Sequence, residues 1–206
     1  MTAELRRSPG GASVLVRISS DVTTPGGKVV KRDREHFRAT VLLGRGRTAR
    51  TDVPAAAGIA VGDPYYRPDS RVVLSGVFRA TDEAGASATA ATARWRPGPL
   101  PDAFSRQAIP GLLLDGLARV LALPPLAGNV QEVKVPRYFR RIELYTEDND
   151  AALAARWPEG IALHWNRWSG VLSAVAPDGT LLVTAADVQS ASMGLVPAEP
   201  GEKGDR

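Results

Sequence analysis

The chain contains no cysteine, which excludes disulfides, cysteine-ligated zinc and a thiol nucleophile, and fits a reducing compartment. It has two histidines, His36 and His164, neither near clustered carboxylates, so no metal site is expected. No cofactor motif is present either: Gly44-Arg45-Gly46-Arg47 has neither the GxGxxG nor the Walker spacing and reads as a loop. No apolar run approaches the roughly 18 residues that cross a bilayer. The basic start, Met1 to Gly11, lacks the apolar core of a secretory signal. A cytoplasmic protein with no membrane partner is the expectation. Aromatic residues are sparse at 6%, and Tyr145, Trp157, Trp165 and Trp168 read as packing for a sheet face.

What is present is ordinary globular material: 206 residues, 44% hydrophobic and 23% charged, enough for one large domain or two small ones. The net charge of +4 is unevenly placed. Residues 1–50 carry eleven Lys/Arg against four Asp/Glu, which leaves the remainder at −3. No helix-turn-helix, zinc-finger or RNP-like pattern accompanies the basic stretch from Lys31 to Arg47, so nucleic acid is not the expected partner.

Most of the chain alternates with period two. Strands are expected at 14–18 and 28–43, the latter bent near Arg34, with a turn at Pro25-Gly26-Gly27. Residues 72–81 and 86–95 read as a hairpin across Asp82-Glu83-Ala84-Gly85. Further strands are expected at 132–145, 160–176 and 180–189, the last two joined by Pro177-Asp178-Gly179. One segment differs. From Ile109 to Leu123 the chain is apolar over most of a helical circumference, with Leu113, Leu117, Val120 and Leu121 at helical spacing. Pro110 suits its first turn and Pro124-Pro125 ends it. Such a helix belongs in a core. A shorter exposed helix is expected from an Asn149 cap to Arg156.

A curved antiparallel sheet wrapped around one apolar helix is a hotdog-type α+β fold. An all-β sandwich has no place for that helix. The expected organisation is a flexible tail at 1–12 and strands at 13–45 that resemble the end of a first hotdog. A linker at 46–71, a second hotdog at 72–193 and a tail at 194–206 follow, together an incomplete double hotdog.

Four segments, in this order, resemble the dehydratase domains of polyketide and fatty-acid synthases, mainly their second hotdog. Arg34-Glu35-His36-Phe37-Arg38-Ala39-Thr40-Val41 resembles the strand that closes the first hotdog. Tyr66-Arg67-Pro68 followed by Val72-Val73 resembles the Tyr-Gly-Pro-x-Phe-x-Gly stretch that opens the second. Leu112-Leu113-Leu114-Asp115-Gly116 resembles the Leu-Leu-Asp-Ala helix start that holds that family's catalytic aspartate. Val135-Pro136-Arg137-Tyr138 through Tyr145 resembles the Leu-Pro-x-x-Trp-x-x-Val-x-Leu strand. The resemblance spans about residues 30–193.

It implies a hydro-lyase acting on 3-hydroxyacyl thioesters, with Asp115 as acid, and Tyr66, Pro68 and Arg119 as substrate-binding positions. The implied partners are an acyl carrier protein or another synthase subunit, in a dimer or hetero-complex. Carrier proteins are acidic, which suits the basic surplus of residues 1–50. The departures concern chemistry. The family's base is a histidine in His-x-x-x-Gly-x-x-x-x-Pro, and neither His36 nor His164 lies in such a motif. His36 is the candidate for a displaced base, and His164 reads as a hydrogen-bonded strand residue. The position four after the aspartate, often Gln or His, is Arg119, and Arg67 and Ser70 replace the Gly and Phe of the Tyr-Gly-Pro stretch. Burial in an apolar helix would raise the pKa of Asp115, while an i,i+4 pair with Arg119 would lower it. Two function classes follow: a dehydratase-like enzyme with an incomplete catalytic pair that needs a partner, or a non-catalytic hotdog that binds acyl chains or scaffolds a synthase.

Overall fold

The computed structural model describes residues 2–8, 11–43, 48–124 and 129–198. Parts of both expected tails, the Gly44–Arg47 loop and Pro125 lie outside the described residues. The chain divides into two compact units, Met1–Gly46 and Arg47–Arg206.

The first unit is a three-stranded antiparallel meander of β1 (Thr2–Ser8), β2 (Gly11–Thr23) and β3 (Val29–Leu43). Residues 2–8, within the stretch expected as a tail, pair with β2 from Thr2↔Arg17 to Ser8↔Gly11. The β2–β3 turn closes with the Gly27 amide donating to the Thr24 carbonyl, at 2.9 Å. Gly27 sits at φ 81°, where a side chain would be strained. The bend expected near Arg34 is a bulge. Asp33 takes φ 48°, its amide donates to an Asp21 carboxylate oxygen at 2.9 Å, and Ser19 donates to its carboxylate.

In the second unit the sheet order is β4 (Ala49–Arg50), β11 (Thr180–Pro197), β10 (Val171–Val175), β9 (Ile161–Asn166), β7 (Ala90–Trp95), β6 (Thr81–Ala86), β5 (Ile59–Ala60). A further strand, β8 (Val130–Leu144), pairs antiparallel with the long second part of β11. Both β4 and β5 fall inside the stretch expected as a linker. The helix α1 (Gly111–Arg119), continued by a 3₁₀ turn at Val120–Ala122, packs on the inner face of this curled sheet. Leu112, Leu113, Leu117 and Val120 are buried, against Trp95, Ile161, Leu163 and Leu172. Small residues facing them, Ala91, Ala93, Ala174 and Ala185, let the helix lie close. Gly116 marks the tightest approach: a Cβ there would stand 3.2 Å from both Thr81 Cγ2 and Trp95 Cδ1. This is the expected hotdog-type α+β fold, a curved antiparallel sheet around a short apolar helix.

The N-terminus of α1 follows Pro110, which offers no side-chain cap. Asp150, the first residue of α2 (Asp150–Arg156), caps it instead, accepting from the amides of Leu112 at 2.8 Å and Leu113 at 2.9 Å. As expected, Asn149 caps α2, its side-chain oxygen accepting from the Ala152 amide at 3.0 Å.

Two strand expectations need correction. Residues 72–80 are irregular, with a 3₁₀ turn at Gly76–Phe78, and the hairpin turn lies at Ser87–Thr89, between β6 and β7. Asp82–Gly85 is a bulge inside β6: the register shifts there and Glu83 takes φ 49°. Gly85 is required because a Cβ would stand 2.5 Å from the Ala57 carbonyl oxygen. The expected strand 160–176 is a hairpin. Asn166 accepts from the amides of Trp168 at 2.9 Å and Ser169 at 3.1 Å, and Gly170 turns the chain at φ 67°. No helix among the described residues is long and apolar enough to cross a membrane.

Candidate functional site

Successive turns of α1 carry Asp115 and Arg119 on one side, at i,i+4 spacing. Arg119 is an unusual occupant of a core helix, with 5% of its side-chain surface exposed. Burying a guanidinium this deeply requires an ionised partner and hydrogen bonds. Both come from the irregular segment that precedes β6. Asp63, 7% exposed, accepts from Arg119 Nη1 at 3.2 Å. The same Nη1 donates to the Tyr66 hydroxyl at 3.1 Å. Asp63 is held from two further directions, by the Tyr65 amide at 2.9 Å and the Thr81 hydroxyl at 3.0 Å. The Tyr66 hydroxyl also accepts from the Thr81 amide at 3.0 Å and lies 2.8 Å from Thr81 Oγ1. The guanidinium of Arg79 stands 4.7 Å from the centre of the Tyr66 ring, a cation–π distance. Tyr65 reaches the other way, bridging the amide and carbonyl of Lys134 on β8.

Asp115 sits at the open side of this cluster. Its side chain is 38% exposed, and its Oδ2 lies 3.2 Å from Arg119 Nε. That approach is an ion pair without hydrogen-bond geometry: among the described residues neither Asp115 Oδ2 nor Arg119 Nε has a hydrogen-bond partner, and Arg119 Nη2 has none either. Burial raises the pKa of Asp115; the charge of Arg119 pulls it down and that of Asp63 adds to the rise. Of the two opposed influences expected on Asp115, burial prevails. Asp63 is raised as well, by burial, against the pull of Arg119, the Tyr65 amide, the Thr81 hydroxyl and Arg79. For Arg119, burial works against the charged form, but Asp63, Tyr66 and Asp115 outweigh it and raise its pKa. Two acids therefore share one permanently charged base.

Three of the residues singled out in the sequence thus meet: Asp115, Arg119 and Tyr66. Pro68 lies two residues beyond Tyr66, exposed in a turn closed by the Ser70 amide on the Arg67 carbonyl at 3.2 Å. His36 belongs to the first unit, exposed on β3, with its Nε2 2.7 Å from Ser20 Oγ. His164 lies on β9 opposite Thr92 and Ser173, and burial lowers its pKa. Sequence reasoning missed Asp63, Thr81 and Arg79. Gly62-Asp63-Pro64 reads as turn chemistry, and no local pattern links it to a helix more than fifty residues away. Among the described residues no group of three or more His, Asp or Glu could hold a metal.

No family model matches the sequence, and no curated protein matches it. Solved structures do. The dehydratase domain from the CurF module of the curacin polyketide synthase superposes with a TM-score of 0.62 at 13% identity, covering 93% of this chain and 68% of that one. A dehydratase studied for substrate selection in the borrelidin and fluvirucin synthases gives 0.60 at 14%, covering 93% and 63%. The erythromycin dehydratase gives 0.56 at 17%, covering 90% and 64%. This chain spans about two thirds of their length and has the hotdog-type fold of polyketide synthase dehydratase domains.

Proposed function

We propose that this protein is a dehydratase-like component of a polyketide or fatty-acid synthase, that Asp115 is its acid, and that it works with a partner that supplies the base. The observation that carries the proposal is the state of Asp115: a carboxyl at the mouth of a buried charge cluster, with its pKa raised by burial. A protonated carboxyl there can donate to a departing hydroxyl. The substrate is a 3-hydroxyacyl thioester on an acyl carrier protein. The partner's base removes a C2 proton, the C3–O bond breaks, Asp115 protonates the leaving oxygen as water, and a C2=C3 double bond remains. Asp115, now a carboxylate, regains a proton from the base or solvent. Tyr66 and Pro68 are the positions proposed to meet the acyl chain, with Arg119 behind them.

The alternative is an acyl-binding or scaffold module without catalysis, favoured by the missing histidine motif. One experiment separates them. The purified chain is assayed on a 3-hydroxyacyl carrier substrate, alone and with a synthase subunit that carries the His-x-x-x-Gly-x-x-x-x-Pro motif. Turnover is expected only with the subunit, and Asp115→Asn should lower it by about 10²–10⁴-fold. Turnover by the chain alone that is lost on changing His36 would make His36 the base. If no subunit restores turnover while the chain still binds the acylated carrier, the module reading holds.

A further inference from the structure

An i,i+4 arginine would ordinarily be expected to ionise Asp115 and spoil it as an acid. The orientation of the guanidinium argues otherwise. Arg119 engages at Nη1, where it donates to Asp63 at 3.2 Å and to Tyr66 at 3.1 Å, while its Nε lies 3.2 Å from Asp115 without hydrogen-bond geometry. The guanidinium is a rigid plane, so anchoring one end sets the direction of every other N–H. We infer that Asp63 is a positioning residue: by fixing the Arg119 fork toward itself, it prevents Arg119 from forming a charge-assisted hydrogen bond with Asp115 and keeps Asp115 able to hold a proton.

The anchor is itself braced. Thr81 and the Tyr65 amide fix the Asp63 carboxylate, and Tyr66 presents the second acceptor to Nη1 while Arg79 covers its ring. The charged and titratable groups around Asp115 are therefore Arg119 on its own helix, with Asp63, Tyr65, Tyr66 and Arg79 from the stretch leading to β6. Replacing Asp63 by Asn acts on Asp115 in one direction only. It removes a like charge, and it weakens the hold on a guanidinium that Asp115 can then capture. The inference rests on Asp115 being the acid, but its central claim is physical and can be measured without turnover.

The test is an NMR titration of the aspartate side-chain carboxyl carbons in the full chain, with Asp115 assigned by the signal lost in Asp115→Asn. In Asp63→Asn the Asp115 midpoint is expected to fall by about one pH unit or more, the effect of a cation brought into hydrogen-bonding contact. An unchanged or raised midpoint in the folded variant overturns the inference. Should Asp63→Asn fail to fold, Tyr66→Phe takes its place. It loosens the same anchor without leaving a charge unpaired, and the midpoint must again fall, or the inference is wrong. Where a partner subunit gives turnover, the limb lost as Asp115 ionises should move to lower pH in Asp63→Asn. A lowered midpoint with no turnover under any pairing would uphold the positioning role and reject the dehydratase reading.

Discussion

At the residue scale, the second unit depends on a few buried charges that no single segment can satisfy. Asp150 is fully buried, yet its carboxylate takes the first free amides of a helix from another part of the chain. Removing it leaves those donors without an acceptor in the interior, at roughly 1–3 kcal/mol for a buried unsatisfied group. Asp150→Ala is accordingly expected to lower unfolding stability by about 2–4 kcal/mol, read as a lower denaturant midpoint at unchanged slope. A loss below about 0.5 kcal/mol would mean that water replaces the cap. Neither Asp150 nor Asp63 announces this role in sequence. Asp150 reads as an ordinary acidic residue in the first turn of α2, and its real partners lie at Leu112 and Leu113.

Among the elements, α1 is the one that organises the rest. Leu117 is 1% exposed and belongs to the cluster formed with the inner face of the sheet. Leu117→Ala should cost about 2–5 kcal/mol, the range for a large core side chain replaced by a small one, measured by chemical denaturation. A neutral result would place the helix at the periphery. The apolar circumference of this segment made its burial legible beforehand, as did the strand period of 132–145 and 180–189. The misplaced hairpin shows the limit. Asp-Glu-Ala-Gly has the composition of a turn, but here it forms a bulge, because Gly85 must pass the Ala57 carbonyl and Glu83 accepts a positive φ. Composition reports that the chain departs from regular geometry. It does not tell a turn from a bulge, since both need the same residues.

For the whole molecule, the shifted groups give stability a defined pH dependence. Burial raises Asp63, Asp115 and Asp150 above the ordinary 3.8, so between that value and their folded values the folded state binds more protons than the unfolded. Stability must then fall as pH rises from 3.8 through the raised values of these three carboxyls. His164, lowered from 6.5 by burial, works in the opposite sense just below that value, one group against three. Hydrogen bonds and ion pairs lower Asp69, Glu83, Glu132 and Asp178, whose contribution is lost only as pH drops further, through their own folded values. Burial also pushes Tyr65 up to about 12 from 10.0, so stability should decline again as pH rises through that interval. Thermal melts are expected to show a melting temperature that falls as pH rises from 3.8 through the raised carboxyl values, and Asp63→Asn should flatten that fall. A melting temperature that climbs steadily as pH rises from 3.8 would contradict this assignment of burial.

What the sequence determined by itself was the class of fold and its central helix, because hydrophobic periodicity is a local property that survives without a structure. It also marked Asp115, Arg119 and Tyr66 as candidate site residues, through the order of four short motifs. Only the tertiary structure decided what Arg119 does. Its i,i+4 neighbour was visible in the sequence, but its chosen partner, Asp63, lies 56 residues away and reaches it through the folding of an irregular segment against the helix. A guanidinium has one orientation at a time, and which carboxylate sets that orientation is a question of geometry that spacing along a helix cannot answer.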